Sequence, residues 1–493
     1  MWSNSVSVAS HHMNIVSVWT QRGDSDTLNF EPKELRVPTS AQHHQRLILL
    51  EFNELCPHLV DRFIDEGALP NFKRLRDASE TFITHTNEEV LEPWIQWVTV
   101  HTGVPLSEHG IKDLDEAEKV THNTFWDGLA EENVLLMSPM NVKFRRRNQW
   151  LFMPDPWAAS QVPSAELEPF YNFVRAAVNS HARTDRLDLK VAARAMRFLL
   201  AHGLTLNTLA AAFSQLFVEK LGRRDAKWRR ATILDRLLWD VFAHFWRGPR
   251  QPRVGIFFSN ATAHYQHKYW SHHDPSIFSL KPNADEIGTY GNVIRFGYQA
   301  HDRLIGKAMA LAGSDTAIAL CTALSQQPML DYEVRGGKQM FLVRDFAALQ
   351  AALGVRATAR AEALMAEESW LHFATEAEGA DGYRKISSAK TGDGRALFKL
   401  RGFDGKSFII GCGVFATEVD ARTTIVNEAG ASVPFHEHFL QMETVTTAKH
   451  HPDGILWIMS GHPSHGAPKT GFAETLPLTH VRGKLEQALA FNS

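Results

Sequence analysis

The sequence predicts an α/β fold: a doubly wound, mostly parallel sheet with helices on both faces, enlarged by a helical insertion and a mixed α+β cap. Three observations predict it. Short apolar runs of strand length recur at 46–52, 134–138, 254–259, 316–323 and 454–460. Helical patterns separate several of these runs, which is the alternation of a parallel sheet. Two long stretches, 161–250 and 331–445, interrupt that alternation with patterns of their own.

Taken in order, residues 1–44 are polar, contain His and Ser, and hold no sustained period, so a loose N-terminal extension is expected there. The core then comes in three parts, 45–160, 251–330 and 446–493. RLILLEF (46–52) is a buried strand that ends in the polar pair Asn53-Glu54. PHLVDRFID places Leu59, Phe63 and Ile64 at helical spacing; Gly67 stops that helix, and a second short one follows Pro70. After VLLMS (134–138) the stretch 161–250 keeps helical periodicity over long spans with no strand between them. VGIFFS and TAIALCTA return the chain to the sheet. In the cap, RATARAEALMAEESWLHFATEAE reads as an Ala-rich helix and SFIIGCGVF as a short β run. GILWIMS is the last strand.

Composition narrows the function. With 52 Lys and Arg against 55 Asp and Glu, the net charge of −3 gives no broad attraction to nucleic acid. Cys56, Cys321 and Cys412 are too few and too scattered for a disulfide framework, which suits a reducing compartment. No basic-then-apolar leader opens the chain and no run of 18 apolar residues follows, so a cytoplasmic protein without a membrane span is expected.

Ligands of doubly wound sheets gather beyond the carboxyl ends of the strands. Four segments lie there: LILLEFNELCPHLVDRF with GALPNFKRL, WIQWVTVHTGVPLSEHGI, NATAHYQHKYW and HHPDGILWI. In that order they resemble landmarks of the alkaline phosphatase superfamily, on its type I phosphodiesterase and nucleotide pyrophosphatase branch. The resemblance implies a two-metal site, and here it carries over incompletely. Asn53 matches a metal-binding aspartate, Pro93 the nucleophile, Ala263 a second aspartate, and Thr322-Ala323-Leu324 an Asp-His-Gly. A neutral amide brings no charge to neutralise a cation. Of the family's six ligands, His267 and His450 remain, with His451 the alternative to His450 if the register slips by one.

What the resemblance implies is therefore a hydrolase or transferase acting on a phosphoester or related ester through a reduced site, either one divalent metal ion (zinc or manganese) or none. A single zinc wants about three protein ligands, and His264 or His451 could be the third. Without metal, His267, His450 and Lys449 form an acid/base cluster around Asn53, Glu54 and Thr322. Glu92, beside Pro93, is a candidate base or covalent carboxylate. Gln326 and Gln327 offer amides to a sugar-like or nucleotide ligand, Trp94, Trp97, Tyr269 and Trp270 a stacking wall, and Lys143 with Arg145, Arg146 and Arg147 a basic loop. Two rivals stand beside this reading: a catalytically silent relative that holds a phosphorylated or sugar-like ligand, and a biosynthetic enzyme of metal-independent acid/base chemistry.

Overall fold

A computed structural model describes residues 46–129, 133–145, 149–158, 160–182, 188–221, 224–364, 368–442, 445–460 and 474–489. The extension expected over 1–44 lies outside the described residues, as do Arg146 and Arg147 of the basic loop.

The central sheet has eight strands: β1 (Arg46–Phe52), β2 (Glu80–His85), β3 (Val134–Met137), β4 (Gln149–Met153), β5 (Val254–Ser259), β6 (Thr316–Thr322), and two late strands. A short strand outside this sheet, β7 (Ser325–Pro328), follows β6 and pairs with another short one, β8 (Ala448–His451). The late strands are β9 (Asp453–Met459) and β10 (Glu474–Pro477), and the sheet order is β10-β2-β9-β6-β1-β5-β3-β4. β1 lies between β5 and β6, parallel to both. Its near-continuous apolar run follows from burial on both faces. Ile48, Leu50 and Phe52 enter one core with the helices Pro57–Asp65, Pro70–Asp77, Arg230–Arg247 and Val293–Leu311. Leu47 and Leu49 enter the other, with the helices Pro93–Thr102 and Val481–Leu489. The period-two alternation of a strand thus divides its side chains between two helical layers.

β9 is the exception to the parallel arrangement, because it runs antiparallel to both β6 and β2. Its reversal brings its amino end, and His450 just before it, to the edge where β1, β5 and β6 have their carboxyl ends. β2 also ends there, with His85 opposite Asp453, and leads on to Leu91 and Glu92.

The helical insertion contains the helices Glu168–Ala182, Leu189–Ala201, Leu206–Lys220 and Arg230–Arg247. The cap holds a four-stranded antiparallel sheet, ordered Phe398–Arg401, Ser407–Cys412, Ser369–His372 and Arg360–Ala363. This corrects the Ala-rich helix expected there. Ser369 and Leu371 alternate inward against Ile410 and Phe408, and that packing overrides helix propensity. A helix begins only at Glu376, where Thr375 and Glu378 form a capping box. Cys56, Cys321 and Cys412 are each buried, and none of the three forms a disulfide.

Candidate metal centre

The site starts with a backbone anomaly. Glu54, two residues past β1, has φ +60°, a left-handed conformation that non-glycine residues seldom adopt and that costs roughly 1–3 kcal/mol. Its neighbours hold it there: Gln266 Nε2 donates to Glu54 O at 2.7 Å, and Tyr298 Oη donates to Gln266 Oε1 at 2.6 Å. Asn53 fixes the carboxylate from the other side, donating from Nδ2 to Glu54 Oε1 at 2.7 Å and accepting from Trp97 Nε1 at 2.9 Å. The turn aims Oε2 along the carboxyl edge of the sheet.

His267 arrives from the helix Ala261–His273, which kinks at Tyr269 (φ −123°). Thr447 takes up the groups near the kink: its N donates to His267 O at 2.6 Å, and its Oγ1 accepts from Trp270 N at 3.0 Å. This docks the start of β8 on the helix and sets Ala448 O 3.2 Å from His267 Nδ1. His450 stands opposite Gln326 in the β7–β8 ribbon, and its Nδ1 meets Leu91 O at 2.6 Å.

Both imidazoles thus commit Nδ1 to a backbone carbonyl and turn Nε2 toward the same atom, Glu54 Oε2, at 3.1 Å for His267 and 3.4 Å for His450. All three donor atoms lie within 4.8 Å of one another, and they are the one such group among the described residues. An Nδ1–H given to a carbonyl fixes the tautomer and leaves Nε2 with its lone pair forward, as in metal-bound histidines. Two lone pairs facing a carboxylate oxygen need positive charge between them, from protons or from an ion. Zinc about 2.0–2.2 Å from each donor implies donor separations of about 3.3–3.5 Å in a tetrahedron, close to the two measured here. The donor set fits such an ion. Gln326 reaches the same oxygen: Nε2 donates to Glu54 Oε2, while its buried Oε1 has no hydrogen-bond partner among the described groups.

The electrostatics agree. Burial alone would raise the Glu54 carboxyl, but the His450 and His267 imidazoles outweigh it and hold the group well below the usual carboxylate range. Burial would lower His450, yet Glu54, with help from Glu92 and Leu91 O, raises it to about 9. Glu92, half-buried at the N-cap of Pro93–Thr102, has Oε2 3.7 Å from His450 Nδ1. Its carboxyl is pushed up by burial, against the pull of His450. Glu54 is 3% exposed at its side chain against 31% for His267, so solvent reaches the group from the histidine side.

The structure therefore brings together Glu54, His267, His450, Glu92 and Gln326 of the residues singled out in the sequence. It places the others elsewhere. Asn53, the match to the metal aspartate, instead supports Glu54. Thr322 is fully buried, with Oγ1 donating to Leu324 O at 2.7 Å, so its hydroxyl faces no substrate. His451 turns to Asp453, whose N donates to its Nδ1 at 3.2 Å. His264 is half-buried and is not one of the three converging donors. Lys449 pairs with Asp331 at 2.6 Å, and Gln327 donates to His450 O at 3.1 Å. Trp97, Trp270 and Tyr269 are core rather than a stacking wall, and Trp97 is 0% exposed. In the basic loop, Arg145 pairs with Asp127 at 2.6 Å and Lys143 with Glu118 at 3.1 Å. Sequence reasoning missed Gln266 and Leu91 O. Gln266 had a signal, as it precedes His267 in the quoted motif; a backbone carbonyl leaves none.

No protein-family model matches the chain, and no curated protein matches it either. Solved structures do. Phosphonoacetate hydrolase from Sinorhizobium meliloti 1021, in complex with phosphonoacetate, shares 12% identity over 91% of this chain and 97% of that one, with a TM-score of 0.40. Alkaline phosphatase PafA, as a mutant, shares 10% over 91% and 96%, at 0.42. Murine ectonucleotide pyrophosphatase/phosphodiesterase 5, in complex with AMP, shares 8% over 90% and 95%, at 0.36. At such identities and TM-scores nothing about this chain follows from the likeness, and its chemistry rests on its own residues.

Proposed function

We propose that this chain is a hydrolase of phosphoesters, of the phosphodiesterase type, working at a one-metal centre held by Glu54, His267 and His450. One observation carries the reading: two imidazoles give Nδ1 to backbone carbonyls and present Nε2 to one buried carboxylate oxygen. A bound zinc or manganese would supply Lewis-acid polarisation of a phosphoryl oxygen and a more acidic bound water. The protein supplies the rest. Glu54, negative and desolvated, is the charged ligand; Asn53 and Gln326 hold its two oxygens in place. Ala448 O and Leu91 O orient the two rings. Glu92, with its carboxyl raised and its oxygen beside the His450 ring, is the group set to exchange a proton with a bound ester. The phosphoester class itself comes from the sequence resemblance. Ala263 and Ala323, at positions where the family carries metal ligands, are buried apolar residues, which favours one ion over two.

A second reading rests on the raised His450. With His450 protonated and no metal, the cluster would hold a phosphate-bearing ligand as an anion site, in a catalytically silent protein or one of metal-independent acid/base chemistry.

Elemental analysis of the full chain purified without added metal, beside Glu54→Gln and a His267→Ala/His450→Ala double variant, separates the two. Near-stoichiometric zinc or manganese that both variants lose, with hydrolysis of a chromogenic phosphodiester that falls in parallel, is the expected result. Wild-type protein that neither carries nor takes up metal overturns the proposal in favour of the anion site.

A further inference from the structure

Away from the metal centre, two consecutive helices stand out. The consecutive helices Leu189–Ala201 and Leu206–Lys220 leave large apolar side chains in solvent, among them Leu189 at 84%, Leu206 at 83% and Phe217 at 64% exposed. Their spacing is ordered. At 100° per residue, Leu189, Met196 and Leu200 (i, i+7, i+11) share one sector of the first helix. Ala195, Phe198 and Leu199 form its buried sector. Between the two lies a third sector, of Lys190, Arg194 and Arg197, all exposed. The second helix repeats the apolar stripe with Leu206, Phe213 and Phe217, again i, i+7 and i+11, opposite buried Thr208 and Gln215.

Charge identifies the occupant. Residues 183–230 contain eleven Lys and Arg against four Asp and Glu, in a chain whose net charge is −3. Two of those acids are already engaged: Asp188 accepts from Lys190 N at 2.8 Å, and Glu219 pairs with Arg230. A second copy docked face to face would bring this basic segment against itself. An anionic surface with an apolar layer beneath it matches both sectors at once. No helix among the described residues is long and apolar enough to cross a membrane.

We propose that these two helices dock the protein on an anionic lipid surface, the apolar stripes at the acyl boundary and Lys190, Arg194 and Arg197 among the headgroup phosphates. The test is co-sedimentation of the full chain with vesicles of phosphatidylcholine alone or with about one-third phosphatidylserine. Expected is about tenfold more binding to the anionic vesicles, lost near 1 M salt, where the screening length shrinks to about 3 Å. Phe213→Ser/Phe217→Ser lowers binding about tenfold, and Lys190→Ala/Arg194→Ala/Arg197→Ala, at three exposed positions, abolishes the lipid preference. No vesicle binding by wild type overturns the proposal, as does binding that both variants retain. A concentration-dependent dimer that the Phe variant dissolves, without lipid binding, assigns the surface to a second copy instead.

Discussion

His450 Nε2 lies 3.4 Å from Glu54 Oε2 while the other ring nitrogen is fixed 2.6 Å from Leu91 O. Without metal, that geometry favours a protonated ring, and His450 is raised from 6.5 to about 9. A group raised on folding contributes stability that is complete below its unfolded pKa and is lost as pH climbs through the folded one. Chelator-treated protein is therefore expected to lose on the order of a few kcal/mol between pH 6.5 and 9, read from urea midpoints. His450→Gln flattens that slope. Zinc flattens it too, since a bound ion takes the place of the proton. A chelated wild type with a flat profile across this window would contradict the arrangement.

Asn53 joins three groups: Glu54 Oε1, Asn260 Oδ1 at 2.8 Å and Trp97 Nε1. Asn53→Ala strands buried partners, each worth roughly 1–3 kcal/mol when left unmade. A loss of about 2–4 kcal/mol in denaturant unfolding is expected, together with weaker metal retention because the carboxylate is freed to rotate. Metal retention at the wild-type level would show that Asn53 does not position Glu54.

These contacts also explain what was legible in the sequence. β1, β5 and β6 announce themselves because burial on both faces demands unbroken apolar runs. β2, β4 and β10 do not: ETFITH alternates toward solvent on one side, QWLFM opens on a polar Gln149 and leaves Trp150 only partly buried, and ETLP is largely exposed. The reversed direction of β9 has no sequence signature, since an apolar run reads alike both ways. At the site, His267 and His450 emerge from motifs, whereas the resemblance matches the position after β1 to Asn53 and leaves no metal ligand there. The register of a strand stops informing at its last residue, and nothing local to Glu54 reports a positive φ set by Gln266, 212 residues away in the chain.

A second buried network sits behind the centre. Ser259 Oγ donates to Asp235 Oδ2 at 2.7 Å and meets His301 Nε2 at 2.8 Å. Burial raises Asp235 to about 7 and lowers His301 to about 3, so the histidine is neutral near pH 7. For an acid raised on folding, the folded state holds its proton where the unfolded chain has released it, and stability falls as pH rises from about 4 to 7. Asp235→Asn removes that ionisation while keeping an oxygen for Ser259. It is expected to be more stable than wild type at pH 8, by about 1–3 kcal/mol, with the difference gone near pH 4. Equal stabilities at pH 8 would mean that Asp235 is charged at little cost there.

Gly454 ties the two halves of the site together through the sheet. It lies on β9, opposite Thr84 of β2, and a Cβ there would meet Thr322 O and stand 2.6 Å from Thr84 Oγ1. Neither neighbour can yield: Thr322 is fully buried, and Thr84 Oγ1 itself bonds Thr322 O at 3.4 Å. The glycine of the HHPDG segment is thus required by close approach of β6, β9 and β2, with no demand for an unusual backbone angle. Gly454→Ala must push β9 away from β6, and His450, four residues earlier, moves with it. The expected result is a loss of about 1–3 kcal/mol, as for overpacked cores, and, in the fraction that stays folded at low temperature, reduced metal content. An alanine variant that unfolds early yet binds metal with wild-type stoichiometry would show that the β7–β8 ribbon, and not β9, sets the position of His450.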